Sequence, residues 1–279
     1  MQILLLCNLK HDKLTMPTND SRFTTGPLKP ALLSGLILIS LATFSQQGDS
    51  TKKDIHFSGS VGATNNGISI IPTFTLGKPA LITNFSLSKG RISFEPDLRF
   101  SMEGKPWGLV FWFRYKLVEG KKFHFNIGAH PAFAFVSKVS VTDSMERTKL
   151  VAQHYAAIEL VPTYMLSENI SIGIYYLHGR GIGEGTLRYS HFVTVNSNFN
   201  NLKLPGKLSL AISPQIYYLR LVDQQGVYYS SDFSIKRENL PFSFSAFINK
   251  TIHSNIEGNK NILWNMTLTY FFKVESKQH

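Results

Sequence analysis

From Asp54 onward the chain repeats with a period of two, and this alternation restricts the fold more than any other feature. Ile92, Phe94, Pro96, Leu98 and Phe100 alternate with Arg91, Ser93, Glu95, Asp97 and Arg99. Trp107, Leu109, Phe111, Phe113, Tyr115 and Leu117 form the next apolar row, opposite Arg114 and Lys116. Phe123, Phe125 and Ile127 alternate with His124, Asn126 and Gly128, and Ile262, Trp264, Met266, Leu268, Tyr270 and Phe272 close the chain in the same manner. Side chains on a strand alternate between its two faces, so each run describes a strand with one apolar and one polar face. No stretch beyond Gln46 carries a 3.6-residue period.

Turn residues separate the runs. Asn65-Asn66-Gly67, Ser88-Lys89-Gly90, Glu103-Gly104-Lys105, Glu119-Gly120-Lys121, Pro205-Gly206 and Arg237-Glu238-Asn239 each supply a residue suited to tight hairpin angles. The candidate strands are 54–62, 68–75, 80–88, 91–101, 106–118, 122–135, 149–165, 169–178, 187–199, 207–221, 226–236, 242–252 and 262–273. Longer connections follow at Val136–Lys149, His178–Thr186 and His253–Asn261. Thirteen strands conflict with the even number usual in single-chain membrane barrels, whose long loops lie opposite the termini. Removing one early candidate moves all three long connections to that side. The segment 68–75, interrupted by Pro72, is the one to remove. The expectation is a closed, all-β, antiparallel transmembrane barrel of twelve strands, with fourteen as the alternative.

Composition favours such a barrel over a soluble sandwich. The chain has 21 Phe and 11 Tyr, and only 17% of its residues are charged, against about 25% in ordinary soluble domains. Its strands are long enough to cross an outer membrane at a tilt, whereas strands of soluble proteins are usually about 5 to 6 residues. Trp107, Tyr115, Tyr164, Tyr176, Tyr218 and Tyr270 stand where interfacial aromatic girdles are expected.

Ahead of the strands, Ala31–Phe44 is uncharged and apolar, with Lys29 before it and SQQGDSTKKD after it. Fourteen residues make about 21 Å of helix, short of a bilayer core of about 30 Å, and suit the apolar core of a signal peptide. The expected division is a presequence at 1–45, a polar segment at 46–53, the barrel at 54–273 and a tail at 274–279. Met16 is an alternative start. The single cysteine, Cys7, lies in the presequence, which excludes a disulfide framework or a cysteine zinc site. The basic excess, 29 Lys+Arg against 18 Asp+Glu, suits anionic lipid. Export argues against nucleic acid as a partner.

The apolar run followed by FSQ, with many alternating strands closing in NILWNMTLTYFF, resembles the uncharacterised outer-membrane β-barrel proteins of the Bacteroidota. The resemblance implies residence in the cell outer membrane among its lipid and lipopolysaccharide. It also implies recognition by the barrel-assembly machinery through an aromatic residue at the end of the last strand, Phe272 or Phe271. The tail Lys273–His279 departs from that pattern.

With the apolar rows facing lipid, Arg91, Glu95, Asp97, Arg99, Arg114 and Lys116 point into the lumen. Glu159 joins them, with Gln153, Asp232 and Lys236 as further members. Opposite charges in a narrow interior pair with one another, so the cluster is either a structural plug or a constriction that selects small solutes, anionic ones among them. The favoured function is therefore a passive pore or a structural envelope protein. A surface-binding barrel acting through its loops is a further alternative. Catalysis is a weaker one: His56-Phe57-Ser58 puts a base and a hydroxyl on one strand face, as in outer-membrane lipid hydrolases, and Ser190-His191 is a second pair. The glycine-rich stretch after His178 opens no helix, so it is no phosphate loop. No histidine or carboxylate spacing suggests a metal, and no cofactor is expected.

Overall fold

A computed structural model describes residues 55–69, 75–142 and 145–275. The expected presequence, the segment 46–53 and the last four residues of the chain lie outside the described residues. Twelve strands follow one another: β1 Ile55–Thr64, β2 Ala80–Lys89, β3 Ile92–Ser101, β4 Pro106–Glu119, β5 Phe123–Thr142, β6 Met145–Met165, β7 Ile170–Ile182, β8 Ser190–Leu204, β9 Leu208–Leu221, β10 Gln224–Arg237, β11 Phe242–Ser254 and β12 Ile262–Glu275. Each pairs antiparallel with its sequence neighbours, and β12 returns to pair with β1, so the sheet closes into a barrel. Closure leaves no strand edge unpaired, which a membrane interior requires.

The strand count agrees with the sequence expectation; of the removed candidate 68–75, residues 70–74 lie outside the described residues. Residues 65–69 and 75–79 form no strand. They fold into a loop in which Gly67 N–H donates to the Lys78 carbonyl (2.7 Å) and the Gly67 carbonyl accepts from Leu76 N–H (2.8 Å). Two expectations require correction. Val136–Lys149 is not a loop, because β5 continues to Thr142 and β6 begins at Met145, with Val136 opposite Val151 and Ser137 opposite Leu150. Alternating serine and valine in VSKVSVT is strand chemistry that the surrounding charges obscured. The last strand likewise runs past Phe272 to Glu275, so two residues of the expected tail are strand.

The two ends of the barrel differ. At the end holding both termini, the turns after β2, β4, β6, β8 and β10 are short. At the other end lie the loop segments 65–69 and 75–79, the loops 183–189 and 255–261 and the extended β5–β6 hairpin. Short turns on the terminal side and long loops opposite identify these as the inner and outer ends.

The wall is apolar outside and mixed inside. Ile158, Ile216 and Trp264 keep more than half of their surface open, and Phe113, Ile174, Phe244 and Leu268 lie in the same outer belt. A continuous apolar belt of this kind is solvated by lipid rather than water. Tyr115, Tyr164 and Tyr270, with Phe123 and Phe242, border it near the inner end. Trp107 does not belong to that girdle: it is 4% exposed. A bulge between Arg99 and Phe100 interrupts the alternation there, and the guanidinium of Arg99 lies 5.4 Å from the Trp107 ring centre.

Candidate functional site

The polar rows of β3, β4 and β6 meet inside the barrel. Register sets Arg114 opposite Gly128, and Gly128 opposite Glu159. Because residue 128 has no side chain, the guanidinium reaches across β5. Arg114 Nε donates to Glu159 Oε1 at 2.6 Å and Nη2 donates to Oε2 at 3.4 Å. Nη1 donates to Glu95 Oε2. Tyr175 Oη donates to Glu159 Oε2 at 2.7 Å, and Ser93 Oγ donates to Glu95 Oε1 at 2.6 Å. The Glu159 side chain is fully buried, so it needs these donors to remain charged away from water. The indole of Trp112 lies beneath the Arg114 guanidinium, 4.2 Å from ring centre to cation.

One turn of the alternation farther out, Arg99 forms a two-pronged pair with Asp97, Nε to Oδ1 at 2.9 Å and Nη2 to Oδ2 at 2.6 Å. Both side chains are buried. The structure thus brings Glu95, Asp97, Arg99, Arg114 and Glu159 together along one wall. It leaves Arg91 and Lys116 out: they share Glu119 at the inner rim (3.8 and 2.9 Å), with all three half exposed. Within the wall, three carboxylates meet two guanidinium groups, so it carries no surplus of positive charge.

Two cavities lie within the lumen. The first, of about 550 Å³, is lined by Asn84, Asn196, Asn198, Gln215, Asn265 and Asp232, with serine and threonine hydroxyls between them. The second, of about 650 Å³, lies towards the inner mouth beside Glu95, Arg114, Ser58, Ser86 and Lys236. Asn84 and Asp97 stand opposite each other in β2 and β3, and Asn84 borders both cavities. Many of the polar groups hold one another: Gln215 Nε2 donates to Ser230 Oγ (2.9 Å), Thr194 Oγ1 to Gln215 Oε1 (3.2 Å) and Asn198 Nδ2 to Asn196 Oδ1 (3.3 Å). Asp232 lines the first cavity, and Lys236 stands over the Phe271 ring at 5.5 Å.

Towards the outer end the inward rows change character. Val110, Trp112, Tyr155, Leu177, Phe192 and Leu219 are buried in one apolar cluster, joined by Leu187 from the β7–β8 loop and Ile256 from the β11–β12 loop. Gln153, expected with the charged group, instead anchors this closure: its Nε2 donates to the Gly185 carbonyl at 2.6 Å and its Oε1 accepts from Tyr155 Oη at 3.0 Å. Leu187 N–H donates to Tyr155 Oη at 3.4 Å. The polar-only lumen of the sequence reading misses this layer. Its signal is present in GIYYLHG and QIYYLRL, which are apolar on both parities, as strands packed on both faces are.

Neither candidate catalytic pair forms a site at the lipid boundary. His56 and Ser58 lie on the inward row of β1, opposite Ser88 and Ser86. No hydrogen bond joins them among the described residues. Ser190 and His191 project to opposite faces of β8, Ser190 buried and His191 towards the lipid. Among the described residues, no group of histidines, cysteines or carboxylates is arranged to hold a metal ion.

A scan against protein-family models finds no match, and a search of curated proteins finds none either. Among solved structures, the chain is similar to a KdgM porin in complex with disordered oligogalacturonate, with 9% identity, a TM-score of 0.47 and coverage of 77% of this chain and 98% of that one. It is similar to an outer membrane channel from Pseudomonas putida F1, with 10% identity, a TM-score of 0.46 and coverage of 82% and 100%. The CymD monoaromatic hydrocarbon channel matches with 7% identity, a TM-score of 0.40 and coverage of 88% and 93%. Likeness at this level says nothing about what enters or binds this barrel.

Proposed function

We propose that the chain is a channel of the cell outer membrane that admits small polar solutes. The observation that carries this reading is the cavity of about 550 Å³ inside a lipid-clad barrel, where amides, hydroxyls and Asp232 line the wall between Ile68, Ile82, Val161 and Phe247. A barrel serving only as a scaffold has no need of such space, and packed side chains fill the lumen of small barrels readily. Glu95, Asp97, Arg99, Arg114 and Glu159 pair along the neighbouring wall and leave one carboxylate in excess, which favours neutral solutes over anions. The layer around Tyr155 and Leu187 restricts the outer mouth and makes passage selective for size. Planar-bilayer conductance and liposome swelling test the proposal. Wild type should give small or infrequent openings, and Tyr155→Phe combined with Leu187→Ala should enlarge them. A folded barrel silent in both forms overturns the channel and leaves a structural envelope role.

The surroundings follow from the same reading: outer-membrane lipid and lipopolysaccharide around the belt, and the barrel-assembly machinery as the folding partner. The resemblance of the FSQ and NILWNMTLTYFF segments supports placement among Bacteroidota barrels. Expression in such a host, followed by fractionation and N-terminal sequencing of the mature protein, tests export, destination and cleavage near Ser45 together.

One observation favours a second reading, a barrel that binds through its surface. Beyond Ala134 and His154 the β5–β6 hairpin has no flanking strand, because β4 and β7 stop pairing there. It projects about 25 Å past the rim at strand spacing. Deleting 137–150 should leave conductance intact if the hairpin serves only a surface partner.

A further inference from the structure

The outward face of the barrel carries an unexpected group of two arginines and two histidines near its outer end. His178, His191 and Arg220 stand directly opposite one another across β7, β8 and β9. Arg180 lies one outward position farther along β7, opposite Ala156. The neighbouring residues Leu177, Phe192 and Leu219 are buried in the lumen cluster, so these four side chains point the other way, towards lipid. His178 and His191 have ring centres 4.7 Å apart. Tyr176 Oη meets His191 Nδ1 at 3.0 Å, and Tyr189 packs edge-on to the same imidazole. Arg220 Nε donates to the Val222 carbonyl at 3.2 Å, which orients the guanidinium.

A lipid-facing surface ordinarily excludes charge, and the cost falls only near the interfaces. This row lies at an interface, one residue from the outer ends of β8 and β9. Among the described residues no carboxylate pairs with its arginines, although Glu184 and Asp223 stand in the adjoining loops. Neither β7, β8 nor β9 contains an aspartate or glutamate, and Arg180 and Arg220 form no ion pair among the described residues. Below the row, towards mid-membrane, come Tyr176, Val193 and Tyr218 and then Ile174, Val195 and Ile216, the last three about half exposed. The patch therefore has two levels: guanidinium and imidazole donors at headgroup depth above an apolar wall at acyl-chain depth.

Resting on the outer-membrane placement above, we infer that this face is a binding site for the phosphate of an outer-leaflet phosphoglycolipid. Guanidinium groups match phosphate geometry with two parallel donors. The imidazoles between the arginines supply additional donors, and the acyl chains lie along the isoleucines and valines. A soluble anion would use the first level alone. A phosphorylated lipid uses both, and the two levels are stacked in the order such a lipid presents them.

The test uses the whole refolded protein in detergent, probed with bisphosphorylated lipid A and followed by native mass spectrometry. Wild type should retain the lipid, and Arg180→Gln with Arg220→Gln should weaken retention by about tenfold or more, since each arginine supplies charge-assisted hydrogen bonds. Arg220→Gln alone should give an intermediate value if the double variant folds poorly, and Arg237→Gln at the inner rim should change nothing. Dephosphorylated lipid A should bind wild type no better than phosphorylated lipid binds the double variant. Equal retention by wild type and double variant, or by the two lipids, overturns the site. Complete displacement by excess inorganic phosphate overturns the lipid as its occupant. Channel conductance of the double variant should match wild type, so failure of the pore and failure of the lipid site are separate results.

Discussion

Gly128 and Glu159 face each other across β5 and β6, and the volume a side chain would take at residue 128 is held by the carboxylate: a Cβ there would stand 2.6 Å from Glu159 Oε1. That carboxylate is pinned by Arg114 and Tyr175 and has nowhere to retreat. Gly128→Ala should therefore destabilise the barrel by about 1 to 3 kcal/mol through overpacking. Urea unfolding in lipid vesicles measures it, and an unchanged midpoint would remove the glycine from the account of the ion cluster.

Arg114→Ala leaves Glu159 buried without its cation. Breaking a buried pair from one side typically costs about 3 to 5 kcal/mol. Arg114→Met with Glu159→Gln should recover most of that loss, because the fully buried charge is gone and the carboxylate left without its cation, Glu95, is partly exposed. If the double variant is no more stable than Arg114→Ala, the pair is not the stabilising unit proposed.

How far the sequence anticipates this geometry depends on the parity of each row. Glu95, Asp97, Arg99 and Arg114 are inward because Phe94, Leu98 and Phe113 are outward, and a period of two transmits one fact to every neighbour. Long-range register is not written that way. Glu159 meets Arg114 because β5 places a glycine between them, and no local pattern marks that glycine. The outer closure is hidden for another reason: Tyr155, Phe192 and Leu219 are apolar residues on the lumen side, and alternation records contrast between faces rather than apolarity on both. Trp107 and Lys116 sit beside bulges, where parity itself is interrupted.

Asp232 is the carboxylate of the first cavity and forms no ion pair among the described residues. Asp232→Asn should move the reversal potential in a salt gradient towards anions while leaving stability within about 1 kcal/mol. An unchanged potential would show that permeating ions do not pass this wall.

Gln153 and Tyr155 tether the β7–β8 loop through Gly185 and Leu187. Gln153→Ala should lengthen channel openings without enlarging their maximum conductance, since it frees the loop but leaves the apolar layer in place. Single-channel dwell times distinguish this from a widened pore.

The pairing of β1 with β12 joins residues that stand some two hundred positions apart in the chain, such as Thr64 and Met266. Ring closure is therefore a topological act that only the finished polypeptide can perform. A chain interrupted before Ile262 keeps eleven strands and two raw margins, each an open template for another copy. Quality control for such a molecule reduces to one question, whether its first and last strands have met.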